Sequence, residues 1–191
     1  MRGRLIAFEG VDASGKTTLA KSVCQTIEST VCVKGQGNKE TVVGRFARRH
    51  PSTFVFLFEL LVMYLTFVRS ALKNGKTIIH DRYYYSIMAF PTALRWYNQL
   101  FFKLFQIVLP KPDLVVYTFA DTDEIIRRLK ALSGDNRFHE MLINDPWILD
   151  YEREIFMKML SNAKRVMFFD TTKRSVKQLT EAVIVAIKDL K

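Results

Sequence analysis

Apolar residues fall into short unbroken runs that alternate with longer stretches of helical spacing. Leu5 to Glu9 is a short apolar run ending in a Gly-rich turn, and from Lys16 the segment KTTLAKSVCQTI places Leu19, Val23 and Ile27 at helical intervals. This predicts strand, loop and helix. Val31 to Val33 predicts a second short strand, followed by a polar turn, KGQGNKE, and a basic helix, TVVGRFARRH, that Pro51 ends. FVFLFELLVMYLTFV, from Phe54 to Val68, predicts an apolar helix that closes near Asn74-Gly75.

Further along, Lys76 to His80 predicts a strand, Leu94 to Val108 an aromatic-rich helix and Asp113 to Phe119 another buried strand. Thr122 to Lys130 reads as a helix with Asp123 and Glu124 in its first turn and Arg127, Arg128 and Lys130 in its last, matching the helix dipole at both ends. Residues 131–146 are polar and carry Gly134, Asp135, Asn136 and Pro146, which predicts a mobile excursion. A helix from Trp147 to Met159, the strand RVMFFD and a helix SVKQLTEAVIVAIKDL follow. Apolar strands separated one by one by helices predict an α/β fold, with a central parallel sheet covered by helices on both faces. Such sheets bind ligands beyond the carboxyl ends of their strands. Two polar surprises fall there: Gly10 after the first strand and Asp81 after the third.

With 191 residues, 49% of them hydrophobic, the chain is expected to form a single domain over residues 1–191. No repeat, low-complexity block or Pro/Gly/Ser-rich linker divides it. The formal charge of +10 favours polyanionic partners such as nucleotides, nucleic acids or anionic membranes, without choosing among them. Cys24 and Cys32 form no CxxC pair and are read as reduced, buried thiols of a cytoplasmic protein. The first apolar run is cut short by Glu9, so no export signal is expected. The Phe54 to Val68 run, interrupted by Glu59 and Thr66, is shorter than the ~20 residues a bilayer requires, and a helix in the core or at a subunit interface is expected instead.

Gly10-Val11-Asp12-Ala13-Ser14-Gly15-Lys16-Thr17 fits GxxxxGK[ST] in full, with a strand before it and a helix after it. Its glycines let successive N–H groups and the helix N-terminus face a phosphate. Lys16 can reach the β and γ oxygens, and the Thr17 hydroxyl can ligate Mg2+. Thr18 completes the ATP-binding set. Two professions of such loops are excluded. The base reader NKxD of GTPase switches has only Asn38-Lys39-Glu40-Thr41 as a near match, and Leu132-Ser133-Gly134-Asp135 lacks the Asp-Glu strand that an ABC-type signature requires soon after it.

Asp81 ends a buried strand, as does the carboxylate that holds magnesium in phosphate-loop enzymes. Arg82 can aim its planar fork at a second phosphate, which suits a phosphate acceptor better than water. Such an acceptor, with a second pKa near ~6, is mostly dianionic at neutral pH and needs no general base.

FEGVDASGKTT, HDRYYYSIMAF and PDLVVYTFADTDEIIRRL together resemble the phosphate loop, the DRY-x-x-S-x-x-A-[YF] signature and the PDL strand of thymidylate kinases. TVVGRFAR also resembles that family's T-P-L-G-x-x-I-R segment. The resemblance covers most of the chain. It implies a P-loop kinase with a lid over residues 131–146, phosphorylating a deoxynucleoside monophosphate, dTMP to dTDP, at the expense of ATP. It further implies that Asp12 approaches the acceptor sugar, that Arg82 holds the acceptor phosphate, that Arg128 lies near adenine and that Arg137 is the lid arginine used in transfer. A homodimer built through packed helices is implied as well.

The departures from the family pattern lie on the acceptor side. The arginine expected one turn after a base-stacking Phe is absent, Pro91 stands where a Gln is common, and R-E-P-G-G has become KGQGNKE. Arg45, Arg48 and Arg69 are candidate substitutes. Phe56 is either the base-stacking ring or a core residue, and strand-end alternation of Tyr83 to Tyr85 places at least one in the core and one, such as Tyr83, against the acceptor sugar, near Ser86. Two other readings stay open: a kinase for deoxynucleosides or other monophosphates, and a basic nucleotide- or nucleic-acid-binding protein with weak transfer. No aromatic-basic motif supports the last.

Overall fold

The computed structural model describes residues 2–89, 96–132 and 137–190. Among them, β1 (Leu5–Glu9), β2 (Thr30–Lys34), β3 (Thr77–Asp81), β4 (Leu114–Phe119) and β5 (Val166–Asp170) form one sheet in the order β2-β3-β1-β4-β5. Every neighbouring pair is parallel. Lys34 and Phe8 both stand opposite Asp81, so the carboxyl ends of the first three strands finish level with one another.

Strand alternation splits the core in two. Leu5, Ala7, Ile78 and Val115 face one side, where they meet Leu57 and Leu60 of α3 (Thr53–Met63), Tyr84 and Ile87 of α5 (Tyr84–Ala89) and Phe156 of α9 (Trp147–Leu160). Ile6, Phe8, Ile79 and Val116 face the other, against Leu19 and Val23 of α1 (Lys16–Thr26) and Val183 and Ile187 of α10 (Val176–Lys188). Each such side chain removed from water stabilises the fold by roughly 1.5–3 kcal/mol before entropy is counted. The remaining helices are α2 (Val42–Arg49), α4 (Arg69–Lys73), α6 (Trp96–Val108), α7 (Thr122–Ala131) and α8 (Arg137–Asn144). The starts of α2, α3 and α10 are locally encoded: Thr41 accepts from Gly44 N, Ser52 accepts from Val55 N, and Ser175 with Gln178 forms a capping box.

The α/β fold with a parallel sheet is as expected, but four local readings change. Tyr84 and Tyr85 belong to a helix rather than to a strand end, and Tyr83, Tyr84 and Tyr85 are all buried. Residues 137–144 of the expected polar excursion form α8, which buries Leu142, while residues 133–136 lie outside the described set, as do Phe90, Pro91, Leu94 and Arg95. The apolar helix runs from Thr53 to Lys73 through a π turn at Tyr64–Val68, and its length and composition alone would let it cross a membrane. In this fold it packs Leu57, Leu60, Val68 and Ala71 into the core. Finally, Cys24 and Cys32 are paired as a disulfide, Cα atoms 6.2 Å apart. Cys32 is exposed because β2 is an edge strand, which corrects the reading of two buried reduced thiols.

Candidate active site

The loop between β1 and α1 turns through left-handed backbone at Ala13 (φ 59°) and Gly15 (φ 86°). A Cβ on Gly10 would lie 2.3 Å from the Thr118 carbonyl oxygen, so only glycine fits there. Val11 and Ser14 are buried, and the Ser14 hydroxyl pairs with that of Thr118 at 2.8 Å. Lys16 is almost fully buried at the start of α1, its ammonium donating to Val11 O at 3.0 Å and to Asp12 Oδ1 at 3.4 Å. Thr18 is exposed in the same turn. Arg128 on α7 braces the loop from outside. It donates to Ala13 O at 3.1 Å and to Thr171 Oγ1 at 2.9 Å, while Glu124 accepts from its Nε at 2.7 Å.

Thr17 donates its hydroxyl to Asp81 Oδ2 at 2.8 Å. Asp81 Oδ1 is buried and has no hydrogen-bond partner among the described residues, an orphan that needs a cation or water. No group of three or more His, Cys, Asp or Glu side chains makes a metal cage among those residues. Magnesium held against phosphates needs only one or two protein ligands, so Thr17 and Asp81 fit it.

Beyond Asp81 the chain makes a tight corner. Arg82 adopts φ 67°, an unfavourable left-handed conformation for a residue with a Cβ. Its N–H donates to Phe8 O at 3.0 Å, and the next N–H, of Tyr83, donates to Glu9 Oε1 at 3.0 Å. Ser86 donates both its N–H, at 3.1 Å, and its hydroxyl to Glu9 Oε2. A wholly buried carboxylate thus accepts the first N–H groups of α5 and makes a helix of the tyrosine run. The Tyr83 hydroxyl donates to Pro110 O at 3.1 Å, so its ring points into the protein rather than toward a sugar site.

Next to this corner opens a cavity of about 640 Å³, lined by Asp12, Arg48, Phe56, Arg82 and Phe138 among others. Of the three candidate substitutes for the missing arginine, only Arg48 lines it. Arg45 donates to Lys39 O at 3.2 Å, and Arg69 is exposed on α4. Arg82 and Asp12 form an ion pair at the cavity wall, and His139 Nε2 on α8 lies 3.7 Å from Asp12 Oδ2. Arg137, two residues earlier on α8, is exposed.

The family model for thymidylate kinase matches residues 8–183, a span that holds both the phosphate loop and this cavity. The chain belongs to the thymidylate kinase family. Its activity is therefore ATP-dependent phosphorylation of a nucleoside monophosphate, dTMP to dTDP. The fold is similar to that of a thymidylate kinase from Candida albicans, with a TM-score of 0.76 at 20% identity, covering 98% of this chain and 92% of the other. It is also similar to one from Ehrlichia chaffeensis, with a TM-score of 0.66 at 18% identity, covering 98% and 100% respectively.

In this thymidylate kinase, burial governs the charges around the loop. It pushes the Glu9 carboxyl up to about 7 against the pull of the Ser86 and Tyr83 hydrogen bonds, and Glu152 on α9 up to about 7 against Arg82 and Lys16. Burial likewise lowers Lys16 to about 8, with Asp81 and Glu9 opposing, and His80 to about 4. Three contributors are not evident from the motifs. Glu9 and Glu59 are single acids inside apolar runs, and Glu59 accepts from Gly37 N at 2.7 Å and Asn38 N at 2.9 Å, fixing the KGQGNKE turn. The signal was their isolation, since an acid in a buried run must find donors. Glu152 gives no such signal in its polar helix.

Proposed function

We propose that the acceptor monophosphate occupies the 640 Å³ cavity with its phosphate between Arg82 and Arg48 and its base beside Phe56, while ATP lies along the phosphate loop. The carrying observation is that Arg48 and Arg82, which come from different elements, line one cavity together with Asp12 of the loop itself. Arg48 thereby takes the place of the arginine missing from α3. The acceptor arrives as a dianion, so transfer requires positioning and charge neutralisation rather than a base. Lys16 neutralises the β and γ oxygens, and Arg137, beside the inward-facing Phe138, supplies the lid charge. Magnesium, which Thr17 and Asp81 would hold, would supply Lewis-acid neutralisation of the phosphates. Arg128 borders the adenine through its brace on Ala13.

Removal of a charged hydrogen-bonding group costs about 1.5–3 kcal/mol, roughly 10- to 100-fold in affinity. Arg82→Ala and Arg48→Ala are therefore each expected to raise the KM for dTMP by about that factor, with the KM for ATP changed less than about threefold. Coupled ADP-release kinetics over dTMP, dUMP, other monophosphates and free nucleosides checks this. Turnover confined to free nucleosides, or an unchanged dTMP KM in both variants, would sink the assignment.

We also propose a homodimer through α3 and α6. Phe54 and Phe58 are 43% and 46% exposed, and Leu104 is 52% exposed on the neighbouring helix, where Phe101 packs edge-on against Phe54 at 5.1 Å. A contiguous apolar face of this kind needs a cover. Light scattering should give the mass of two chains for the wild type and of one for Leu104→Asp. A wild-type mass of one chain would refute the dimer.

A further inference from the structure

Adjoining the acceptor cavity is a small recess of about 10 Å³ that shares Asp12, Arg82 and Phe138 with it and is lined further by Ser86 of α5 and by Glu152 and Phe156 of α9. That is room for roughly one water-sized oxygen. The side-chain acceptors around it are already engaged, with one exception. Asp12 Oδ1 accepts from Lys16 at 3.4 Å and from Arg82, while His139 Nε2 stands 3.7 Å from Oδ2. The Ser86 hydroxyl is spent on Glu9. Glu152 is only 4% exposed, yet it makes no hydrogen bond or ion pair with any described residue. A buried carboxyl with unused acceptor capacity is costly, and its presence calls for a use.

We propose that this recess is a hydroxyl subsite of the acceptor cavity and that Glu152 is its specificity-determining residue, accepting a hydrogen bond from the sugar hydroxyl of the incoming monophosphate. A deoxynucleoside 5′-monophosphate has a single free sugar hydroxyl, the 3′, so the recess matches the acceptor in number as well as in size. The hydroxyl donates to Glu152 and accepts from Arg82, which has donors left beyond the one given to Asp12. Asp12 borders the sugar, but its oxygens already face Lys16, Arg82 and His139. A site with a buried acceptor for one substrate hydrogen rejects an analogue lacking it, because the acceptor is left unpaired. An apolar side chain in place of Glu152 would suit the fold better, so the acid is maintained at the expense of stability.

This inference rests on the acceptor lying in the cavity beside Arg82, so the test carries Arg82→Ala in parallel. Wild type is expected to favour dTMP over its 3′-deoxy analogue by about 10- to 100-fold in kcat/KM. Glu152→Met, close in length but apolar, should bring that ratio to within about threefold of one and raise the thermal midpoint by about 2 °C or more, because a buried acid is removed. Glu152→Gln keeps the shape with a neutral acceptor and should cut the preference at least about threefold. A wild type without the preference, or an undiminished preference in Glu152→Met, overturns the proposal. So does a lowered midpoint in that variant with equal losses for both substrates, the mark of a merely structural residue. Should Glu152→Met fail to fold, an undiminished preference in Glu152→Gln is equally fatal. If Arg82→Ala leaves the KM for dTMP unchanged, the acceptor lies elsewhere and both readings fall. If it raises that KM and the Glu152 variants leave the ratio alone, only the hydroxyl subsite falls.

Discussion

Lys16→Ala is expected to lower kcat by about a thousandfold while leaving the KM for dTMP within a few-fold of wild type. Loss of one preorganised charge donor in phosphoryl or acyl transfer costs about 10² to 10³ in rate. Lys16 is 4% exposed, and its anchors at Val11 O and Asp12 Oδ1 belong to the same loop, so the charge is fixed before substrate arrives. Burial lowers its pKa to about 8, which still leaves it mostly protonated at neutral pH. Stability should change little, because the lost contacts are offset by no longer burying an ammonium group. Single-turnover transfer with saturating ATP and dTMP reads the chemical step directly; a kcat within tenfold of wild type would show that the phosphate charge is neutralised elsewhere. Lys16→Arg should not restore activity, since a planar fork cannot enter the space that a single ammonium fills.

The conformation of the phosphate loop was legible in the sequence because it is local. The phosphate loop is one continuous segment whose glycine spacing states its own conformation, and the alternation of apolar runs with helical spacing already implied a parallel sheet. The acceptor half is assembled from distant segments, and local spacing carries no record of that. Arg48 was one of three equal candidates, because sequence alone does not show that α2 ends beside the cavity while Arg45 turns back to the Lys39 carbonyl. Tyr84 and Tyr85 read as strand-end residues until Glu9, far away in the chain, is seen accepting the N–H groups that start α5. β propensity favoured extension for three tyrosines, and a tertiary carboxylate overrode it. The exposure of Cys32 follows from strand order, which is set by long-range pairing and leaves no trace in local pattern.

Gly35→Ala is expected to lower kcat/KM for dTMP by about a hundredfold, the largest effect foreseen for a residue that touches no substrate. Gly35 has ordinary backbone torsions, so the constraint is one of space rather than conformation. An added Cβ would lie 1.9 Å from the Arg82 carbonyl oxygen and 2.8 Å from His80 Cε1. The first is main chain and has no flexible end to swing aside. Either β2 separates from β3, breaking the 2.8 Å bond from Gly35 N to Asp81 O, or the Arg82 peptide rotates. Both outcomes move Arg82 relative to Asp12 and Lys16, and a shift of about 1 Å in a positioned group is enough for a hundredfold loss. The overpacking should also cost about 1–3 kcal/mol of stability, visible as a lower thermal midpoint. ATP binding, measured by titration calorimetry without acceptor, should fall less than acceptor use, because the phosphate loop keeps its ties to Thr118, Arg128 and Thr171 on the far side from this corner. A Gly35→Ala protein with wild-type dTMP kinetics would mean that the strand tips yield more easily than a close-packed sheet allows, and that Arg82 does not depend on them for its aim.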